Sequence, residues 1–337
     1  MLRLSLVAAL AAGLAAQSIV VPNANATASS TGVLNNPLRN SGNPRTYMMG
    51  INAAELAGIP VGALINGISM RAGHTNSNVA VWPANDVTFS DYEIRIGDVL
   101  PLASWTTTFL SNFVGTPTLA RDGAMVVQTG AFTNNVAYPG ANEWGTFYWD
   151  FQTPLVYTGG DLGVQFTHPG SNDPTSIFFE QVPSDVNTHG IAMTGIAFQA
   201  PTATSTSYVF CVIRIHYGYG PVTGCPGTGG LSPNLVQSEN TVGGGTIHLQ
   251  AANAPAGAPA LYVWGLGRQT ITLQNGCDLL TNPVASTFTL LDQNGRADLQ
   301  LQVPPAVTAM FNVQMFVIDA GAPGGFTLSN GVEPQAF

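Results

Sequence analysis

The sequence predicts an all-β protein of two β-sandwich domains, the first jelly-roll-like and the second immunoglobulin-like. Apolar and polar residues alternate with a period of two in many short segments, and no segment beyond the N-terminus sustains the 3.6-residue hydrophobic period of a helix. The chain also contains 38 glycines and 23 prolines, which divide it into short strands separated by turns. These observations favour antiparallel sheets over any helical fold.

The charge of the chain excludes several classes of function. Charged residues make up 8% of the sequence, and the nine basic residues are all arginine, against eighteen acidic ones. Binding to nucleic acid requires clustered basic side chains that displace counterions, so we expect no nucleic-acid partner. Schiff-base chemistry is excluded because there is no lysine. At 45% hydrophobic residues, the chain is not typical of a disordered protein.

The N-terminus has the pattern of an export signal. Arg3 precedes an apolar run over residues 4–14, and small residues follow, so we interpret residues 1–16 as a secretory signal peptide. Residues 17–30 then form an N-terminal extension. No later stretch reaches the roughly eighteen apolar residues of a membrane helix, so the mature chain is expected to have no transmembrane segment. The sequence therefore predicts secretion to the extracellular space, the cell surface or the periplasm.

The first domain is predicted over residues 31–219. Asn52 to Glu55 has the spacing of a capping box, which predicts one short helical turn. Asp122-Gly123 is a hairpin signal between two short alternating segments. The eight predicted strands are residues 63–71, 87–96, 116–121, 124–128, 146–157, 161–168, 176–182 and 205–217. So many short strands in about 190 residues are typical of a jelly roll.

A Gly/Pro-rich linker over residues 220–230 separates this domain from a second one over residues 231–337. Asn275-Gly276, Asn294-Gly295 and Asn330-Gly331 are turn signals in the second domain. Its predicted strands are residues 246–250, 260–266, 270–274, 286–291, 297–303 and 311–318. This size and spacing of turns are typical of an immunoglobulin-like sandwich.

The three cysteines divide into one pair and one thiol. Cys225 and Cys277 occupy loop-like segments, and export permits disulfides, so we predict that they are bonded. Cys211 alternates with apolar residues along a strand, which predicts a buried thiol. A zinc site is the weaker alternative because the chain has no CxxC pair.

Parts of both domains resemble modules of exported bacterial proteins that often carry sorting or anchoring tails. In the first domain the resemblance covers residues 65–71, 86–96 and 151–162. In the second it covers residues 253–260, 292–297, 303–304 and 328–331, which resemble a β-sandwich module common in such secreted proteins. The resemblance implies β-sandwich modules and brings no catalytic residues with it.

Recognised catalytic motifs are missing from the sequence. It contains no GxSxG nucleophile elbow, no HExxH zinc helix and no phosphate-binding loop. Glu143 and Glu180 lie among aromatic residues and are the best candidates for the carboxyl pair of a secreted glycoside hydrolase. We favour the simpler interpretation that they are two surface carboxylates on different strands.

The aromatic run from Trp144 to Phe151 is the richest local feature. Phe147, Trp149 and Phe151 share one strand face and are predicted to lie in the core. Trp144 and Tyr148 do not belong to this core face and are predicted to be exposed. Exposed aromatic rings can stack on sugar faces. Together with Glu143 they form the candidate carbohydrate-binding residues.

No motif specifies a cofactor, although calcium stays open as an alternative. Residues 292–298 depart from an EF-hand loop at the fifth ligand and at the terminal Glu, so they are interpreted as a hairpin turn. Asp161 and the pair Asn172-Asp173 are other places where calcium could bind. Asp91, Glu93 and Arg95 share one face of a strand, which predicts an exposed, salt-bridged surface.

The sequence therefore favours a secreted, non-catalytic structural or interaction protein of the cell surface or extracellular space. Its partners would be polysaccharides or other surface proteins. The alternatives are a carbohydrate-binding protein that uses exposed aromatic residues of the first domain and, less favoured, a glycoside hydrolase.

Overall fold

The computed structural model describes residues 18–30, 32–74, 80–134, 136–219, 225–237, 244–273, 275–305 and 309–336. The predicted signal peptide lies outside these residues, as do residues 220–224 of the predicted linker. We refer to residues 18–219 as the N-terminal region and to residues 225–336 as the C-terminal region.

The protein is all-β, and every described pair of strands is antiparallel. The strands of the N-terminal region are β1 Ser18–Val21, β2 Gly32–Leu34, β3 Arg45–Ile51, β4 Leu64–Arg71, β5 Val81–Trp82, β6 Val87–Phe89, β7 Glu93–Asp98, β8 Thr118–Arg121, β9 Met125–Val127, β10 Phe132–Thr133, β11 Trp144–Val156, β12 Leu162–His168, β13 Phe179–Val182, β14 Gly190–Gly195, β15 Ser205–Tyr208, β16 Phe210–Cys211 and β17 Ile213–Gly218.

Two large sheets make up most of the N-terminal region. One has the strand order β1-β17-β4-β11 and the other the order β15-β14-β3-β12-β7-β8, and three small sheets, β10-β5, β16-β13-β2 and β6-β9, complete it. Apolar residues of both large sheets join one core, in which the rings of Trp149 and Phe166 lie with centroids 6.2 Å apart. Phe147, Trp149 and Phe151 are buried in this core, as the alternation predicts.

The C-terminal region has a separate, smaller core. Its strands are β18 Asn234–Gln237, β19 Gly245–Ala252, β20 Pro259–Thr272, β21 Asp278–Leu290, β22 Ala297–Val303, β23 Ala309–Met310, β24 Asn312–Ile318, β25 Phe326–Val332 and β26 Gln335–Ala336. They form a sheet β18-β19-β22, a sheet β21-β20-β24-β25 and the pair β23-β26. Leu249 of the first sheet and Tyr262 and Val313 of the second pack in this core.

Helical structure in the described residues is confined to short 3₁₀ turns. They are Asn23–Asn25, Asn36–Leu38, Ala53–Leu56, Leu102–Ser104, Leu110–Asn112, Thr228–Gly230 and Pro323–Gly325. The Asn52 side chain accepts a hydrogen bond from the Ala54 N–H, so the predicted cap forms, although it opens a 3₁₀ turn. Within the described part of the chain, no helix has the length and apolar character needed to cross a membrane.

Two turn predictions are wrong because tertiary pairing overrides the local signal. The strands that flank Asp122-Gly123 do not form a hairpin, since β8 pairs with β7 and β9 pairs with β6. Asn330-Gly331 lies inside β25, where the Asn330 side chain accepts from the Leu235 N–H at 2.8 Å and donates to the Leu235 carbonyl. Asn330 is therefore in contact with β18, whereas a turn would be exposed to solvent.

The disulfide prediction is confirmed, with Cys225 bonded to Cys277 and Cys211 a buried free thiol. Cys225 also forms an isolated β-bridge with Leu328, so the last part of the predicted linker is held against the C-terminal sheet.

Replacing Cys277 with serine is expected to lower the free energy of unfolding by about 3–4 kcal/mol, because the bond closes a loop of about fifty residues in the unfolded chain. Chemical denaturation of the mature protein measures this change. Reduction of wild type should produce the same loss, and an unchanged midpoint would contradict the structural role of the bond.

Candidate functional site

The interface between the two regions contains several buried polar groups, among them Asn66, His216 and Gln237. Residues on the outer face of sheet β1-β17-β4-β11 are polar, and the C-terminal region covers them. The Asn66 amide donates to the Leu235 carbonyl at 3.2 Å, and His216 Nδ1 lies 3.1 Å from the Gln237 carbonyl. Burial lowers the pKa of His216 to about 3, so this imidazole is neutral in the folded protein. This part of the interface is therefore hydrogen-bonded and shielded from solvent.

A charged triad joins the two regions across this interface. The Asp150 carboxylate accepts from Arg121 Nη1 at 3.0 Å on one side and from Arg296 Nη2 on the other. Burial alone would raise the pKa of Asp150, but Arg296 and Arg121 together more than offset it, so the pKa lies below its ordinary value. A carboxylate held ionised by two arginines is a poor general acid or base near neutral pH.

Three separate elements position the triad. Asp150 belongs to β11 and lies opposite Gly67 of β4, on the face that the C-terminal region covers. Arg121 is the last residue of β8. Arg296 follows the turn at residues 292–295, in which Asp292 Oδ1 accepts from the N–H groups of Asn294 and Arg296 at 2.7 and 2.9 Å. Residues 292–295 therefore form a turn that the Asp292 carboxylate holds.

Two cavities, each of about 290 Å³, lie on either side of Arg296. The first, which we call the Arg121 cavity, is lined by polar residues that include Arg121, Asp150, Gln152, Asn253, Asn294 and Arg296. The second, the Asp298 cavity, is lined among others by Gln128, Tyr148, Gln250, Asp292, Arg296 and Asp298. The first therefore has two arginines to one acid, and the second has two acids to one arginine.

The structure places the three predicted carbohydrate-binding residues in different environments. The prediction that Tyr148 is exposed is wrong, because its side chain is 1% exposed and packs against Val236 and Ala252 of the C-terminal region. Trp144 is half-buried, with the Arg214 guanidinium 4.2 Å and the Arg71 guanidinium 5.0 Å from its ring centroid. The two rings therefore do not form an exposed platform.

Glu143 is exposed and lies near His248 of β19. The pKa of His248 is raised, first by its hydrogen bond to Asp298 and further by the negative charge of Glu143. Glu180, in contrast, is fully buried and forms an ion pair with Arg71 at 2.8 Å. The interpretation of Glu180 as a surface carboxylate is therefore wrong, and its pairing leaves it unsuited to act with Glu143.

An acidic group on the six-stranded sheet has the geometry of a cation site. Ligand oxygens of Asp91, Glu93 and Asp122 lie within 4.8 Å of one another. Glu93 is buried and is bonded by Arg95 and Gln199, so the expectation of an exposed salt-bridged face is only partly right. Arg95 thus offsets the charge of Glu93, whereas Asp91 Oδ1 is buried without a hydrogen-bond partner among the described residues.

The other suggested calcium positions are engaged by the backbone. Asp161 Oδ1 accepts from the Ala53 N–H at 2.8 Å, and Asn172 Oδ1 accepts from the Thr88 N–H at 2.8 Å. Asp173 Oδ1 accepts from the Thr175 N–H at 2.6 Å. These three side chains therefore stabilise loops by accepting hydrogen bonds from backbone N–H groups.

Sequence reasoning missed the triad, although it carries one recognisable signal. Asp150 follows the aromatic residues Phe147, Tyr148 and Trp149 in a strand that is otherwise neutral, within a chain that has 8% charged residues. A charge in such a strand indicates a buried partner. Which arginines supply it depends on contacts across 29 and 146 residues of sequence.

Comparison of the chain with protein-family models and with curated proteins finds no match. The fold and the interface define the protein as an all-β chain in which a buried polar interface joins the N-terminal and C-terminal regions.

Proposed function

We propose that the protein is an exported, non-catalytic structural protein of the cell surface or extracellular space that associates with a second copy of itself. Its two regions would be a jelly-roll-like and an immunoglobulin-like sandwich. The observation that carries the proposal is an exposed apolar surface on β21. Phe288 is 64% exposed and Leu290 is 61% exposed on this strand.

The exposed side chains of β21 continue into half-buried apolar side chains of the neighbouring strands on one face of the C-terminal sheet. Phe288 lies opposite Leu261 of β20, which in turn lies opposite Phe316 of β24, so the three side chains form a row on the same face. Val284 on the same strand is also exposed. Contiguous apolar surface of this kind is typical of protein interaction sites, because water otherwise disfavours it.

The strand is also open along one edge. Within the described residues, β21 pairs with β20 alone. Its backbone groups on the other side are therefore available to a further strand. Proteins commonly protect such edges with charges or proline, and β21 has Asp278 and Pro283 in its first half, whereas residues 284–290 contain neither. An edge without these features is suited to strand addition.

A second copy of the chain is the occupant that the charges favour. The whole chain has a net charge of −9, but the nearest charged residues in sequence to the open edge are Asp278 and Asp292. Antiparallel pairing of β21 with its counterpart would place neutral residues opposite each other. Such a contact is isologous and closes as a dimer.

The ion pairs of the described residues support a non-catalytic role. Asp150, Glu180 and Glu93 are buried and paired with arginine, and Glu333 is paired with Arg268. A glycoside hydrolase needs two carboxyl groups that face a common substrate, and Glu180 is committed to Arg71. A sugar platform would need Tyr148, which the C-terminal region covers. These contacts support a non-catalytic role, and the exposed edge of β21 supports self-association.

Phe288→Asp is expected to convert the dimer into a monomer. In a symmetric dimer, the substitution places one carboxylate from each copy in an apolar contact. The measurement is molar mass by light scattering during size-exclusion chromatography over a series of protein concentrations. The fold should persist because the side chain is mostly exposed.

Val61→Asp is the matched control, since Val61 is 73% exposed in the N-terminal region and far from β21 in sequence. It should dimerise as wild type does. A wild type that stays monomeric at every concentration, or a Phe288→Asp variant that still dimerises, would disprove self-association through β21.

A further inference from the structure

We propose that a second copy pairs with β21 in one register, in which Phe288 lies on the two-fold axis, opposite Phe288 of the second copy. The inference rests on the proposed self-association and specifies how the second copy is recognised. Three features of β21 select this register: the length of its regular segment, the direction of its backbone groups and the row of apolar side chains that reaches its edge.

A β-bulge limits the regular part of β21. Trp264 of β20 lies opposite Ala285, but the next residue of β20 lies opposite Pro283. Val284 is therefore an extra residue in β21, and an insertion of this kind interrupts a ladder. From there to the end of the strand, residues 285–290 pair with β20 in one unbroken register. A further strand can therefore pair regularly with β21 only along this segment.

The backbone groups of three residues in the segment point to the open edge. The N–H of Leu291, which follows β21, donates to the Ala258 carbonyl at 3.0 Å, and these two residues continue the register of the ladder. Successive residues of a strand direct their N–H and C=O groups to alternate sides, so the odd-numbered residues of the segment face β20. The even-numbered residues, Ser286, Phe288 and Leu290, therefore face the open edge.

One register uses the backbone groups of all three residues. With Phe288 on the axis, Ser286 lies opposite Leu290 of the second copy, which gives three pairs that each exchange two hydrogen bonds, about six in all. Moving the axis to a neighbouring residue leaves only two such pairs. One residue of each copy then lies opposite the bulge or beyond the end of the strand. The register centred on Phe288 therefore forms the most backbone hydrogen bonds.

The same register joins the apolar rows of the two copies. Phe288 lies opposite Leu261, which lies opposite Phe316, so a row of three apolar side chains ends at the open edge. A two-fold axis perpendicular to the sheet keeps the exposed faces of both copies on one side. With Phe288 opposite its counterpart, the row continues through the second copy, and aromatic side chains at opposed positions attract each other. Any other register would leave the two rows out of line.

Disulfide trapping of variants with one added cysteine tests the register, because a residue lies opposite its own counterpart only on the axis. Phe288→Cys is expected to form a covalent dimer on mild oxidation, since the Cα atoms of a hydrogen-bonded antiparallel pair are about 5.5 Å apart, within the range of a disulfide. Ser286→Cys and Leu290→Cys are the matched controls and should not cross-link, because their counterparts would lie more than about 13 Å away. Cys211 is buried and should not contribute.

A charge pair tests the register without a cysteine. Ser286→Glu and Leu290→Arg should each weaken dimerisation about tenfold, because each places a charge opposite a neutral side chain of the second copy. The double variant should recover most of this loss, since each introduced carboxylate then lies opposite an introduced guanidinium of the second copy. Within one chain the two positions are about 13 Å apart and cannot pair. Sedimentation equilibrium measures the dissociation constant of the dimer.

Light scattering of wild type under reducing conditions separates the register from self-association itself. If wild type dimerises but Ser286→Cys or Leu290→Cys cross-links in place of Phe288→Cys, the register is overturned and self-association stands. If loss of the Phe288 ring prevents trapping at every position, recovery by the double charge variant still supports the register, and no recovery overturns it. A wild type that is monomeric at every concentration would overturn self-association and the register together.

Discussion

Asp150→Ala is expected to lower the free energy of unfolding by about 3–5 kcal/mol, because it leaves the buried Arg121 and the half-buried Arg296 without their shared acid. Arg121 and Arg296 come from opposite sides of the interface, so the loss weakens the contact between the two regions as well as the N-terminal core. Urea denaturation of wild type and variant at neutral pH measures the change. Asp122→Ala, which removes an exposed carboxylate in the neighbouring turn, is the control and should change stability by less than about 1 kcal/mol.

The stability of wild type and that of Asp150→Ala should respond differently to acid. Since the pKa of Asp150 is lowered in the folded state, its stabilising contribution is present above the ordinary value of 3.8 and is lost as the pH falls through the folded pKa. The stability difference between wild type and Asp150→Ala should therefore be constant from pH 5 to pH 8 and shrink below about pH 4. A difference that grows on acidification would contradict the ion-paired state of Asp150.

Trp149→Ala is expected to cost about 3–5 kcal/mol, as deletion of a buried aromatic ring does. The Trp149 ring is fully buried, with centroids 5.1 Å from Phe147 and 5.9 Å from Phe179. Truncation therefore opens a cavity where both large sheets of the N-terminal region meet. Thermal and urea denaturation both measure the loss.

Trp144→Ala, five residues earlier on the same strand, is the matched control. Trp144 is half-buried and contacts the guanidinium groups of Arg71 and Arg214, so its removal should cost only about 1–2 kcal/mol. Equal losses for the two variants would mean that the assigned strand register is wrong.

Alternation along the chain predicts which residues face a core, but not what covers the other face. The inward positions of Phe147, Trp149 and Phe151 follow from the period of two. Tyr148 has the opposite orientation, as expected, yet it is buried because the C-terminal region packs over that face. This contact joins residues about one hundred positions apart, and no local pattern specifies it.

The sequence did not predict the candidate site because that site also depends on contacts between distant parts of the chain. Local signals at Cys225 and Cys277 are sufficient for the disulfide because only two loop cysteines are available. The Asp150 triad has no such constraint, since eight arginines remain after the predicted signal peptide and each could be its partner. The cavities beside it depend on how two regions pack, which is a tertiary property.

The measurement that tests the proposed function most directly is amide hydrogen exchange of the mature protein at low and high concentration. If β21 pairs with its counterpart in a second copy, amides within residues 284–290 should gain protection as concentration rises, while those of the buried strand β12 should not change. Exchange of β21 that is the same at both concentrations would contradict self-association through this edge.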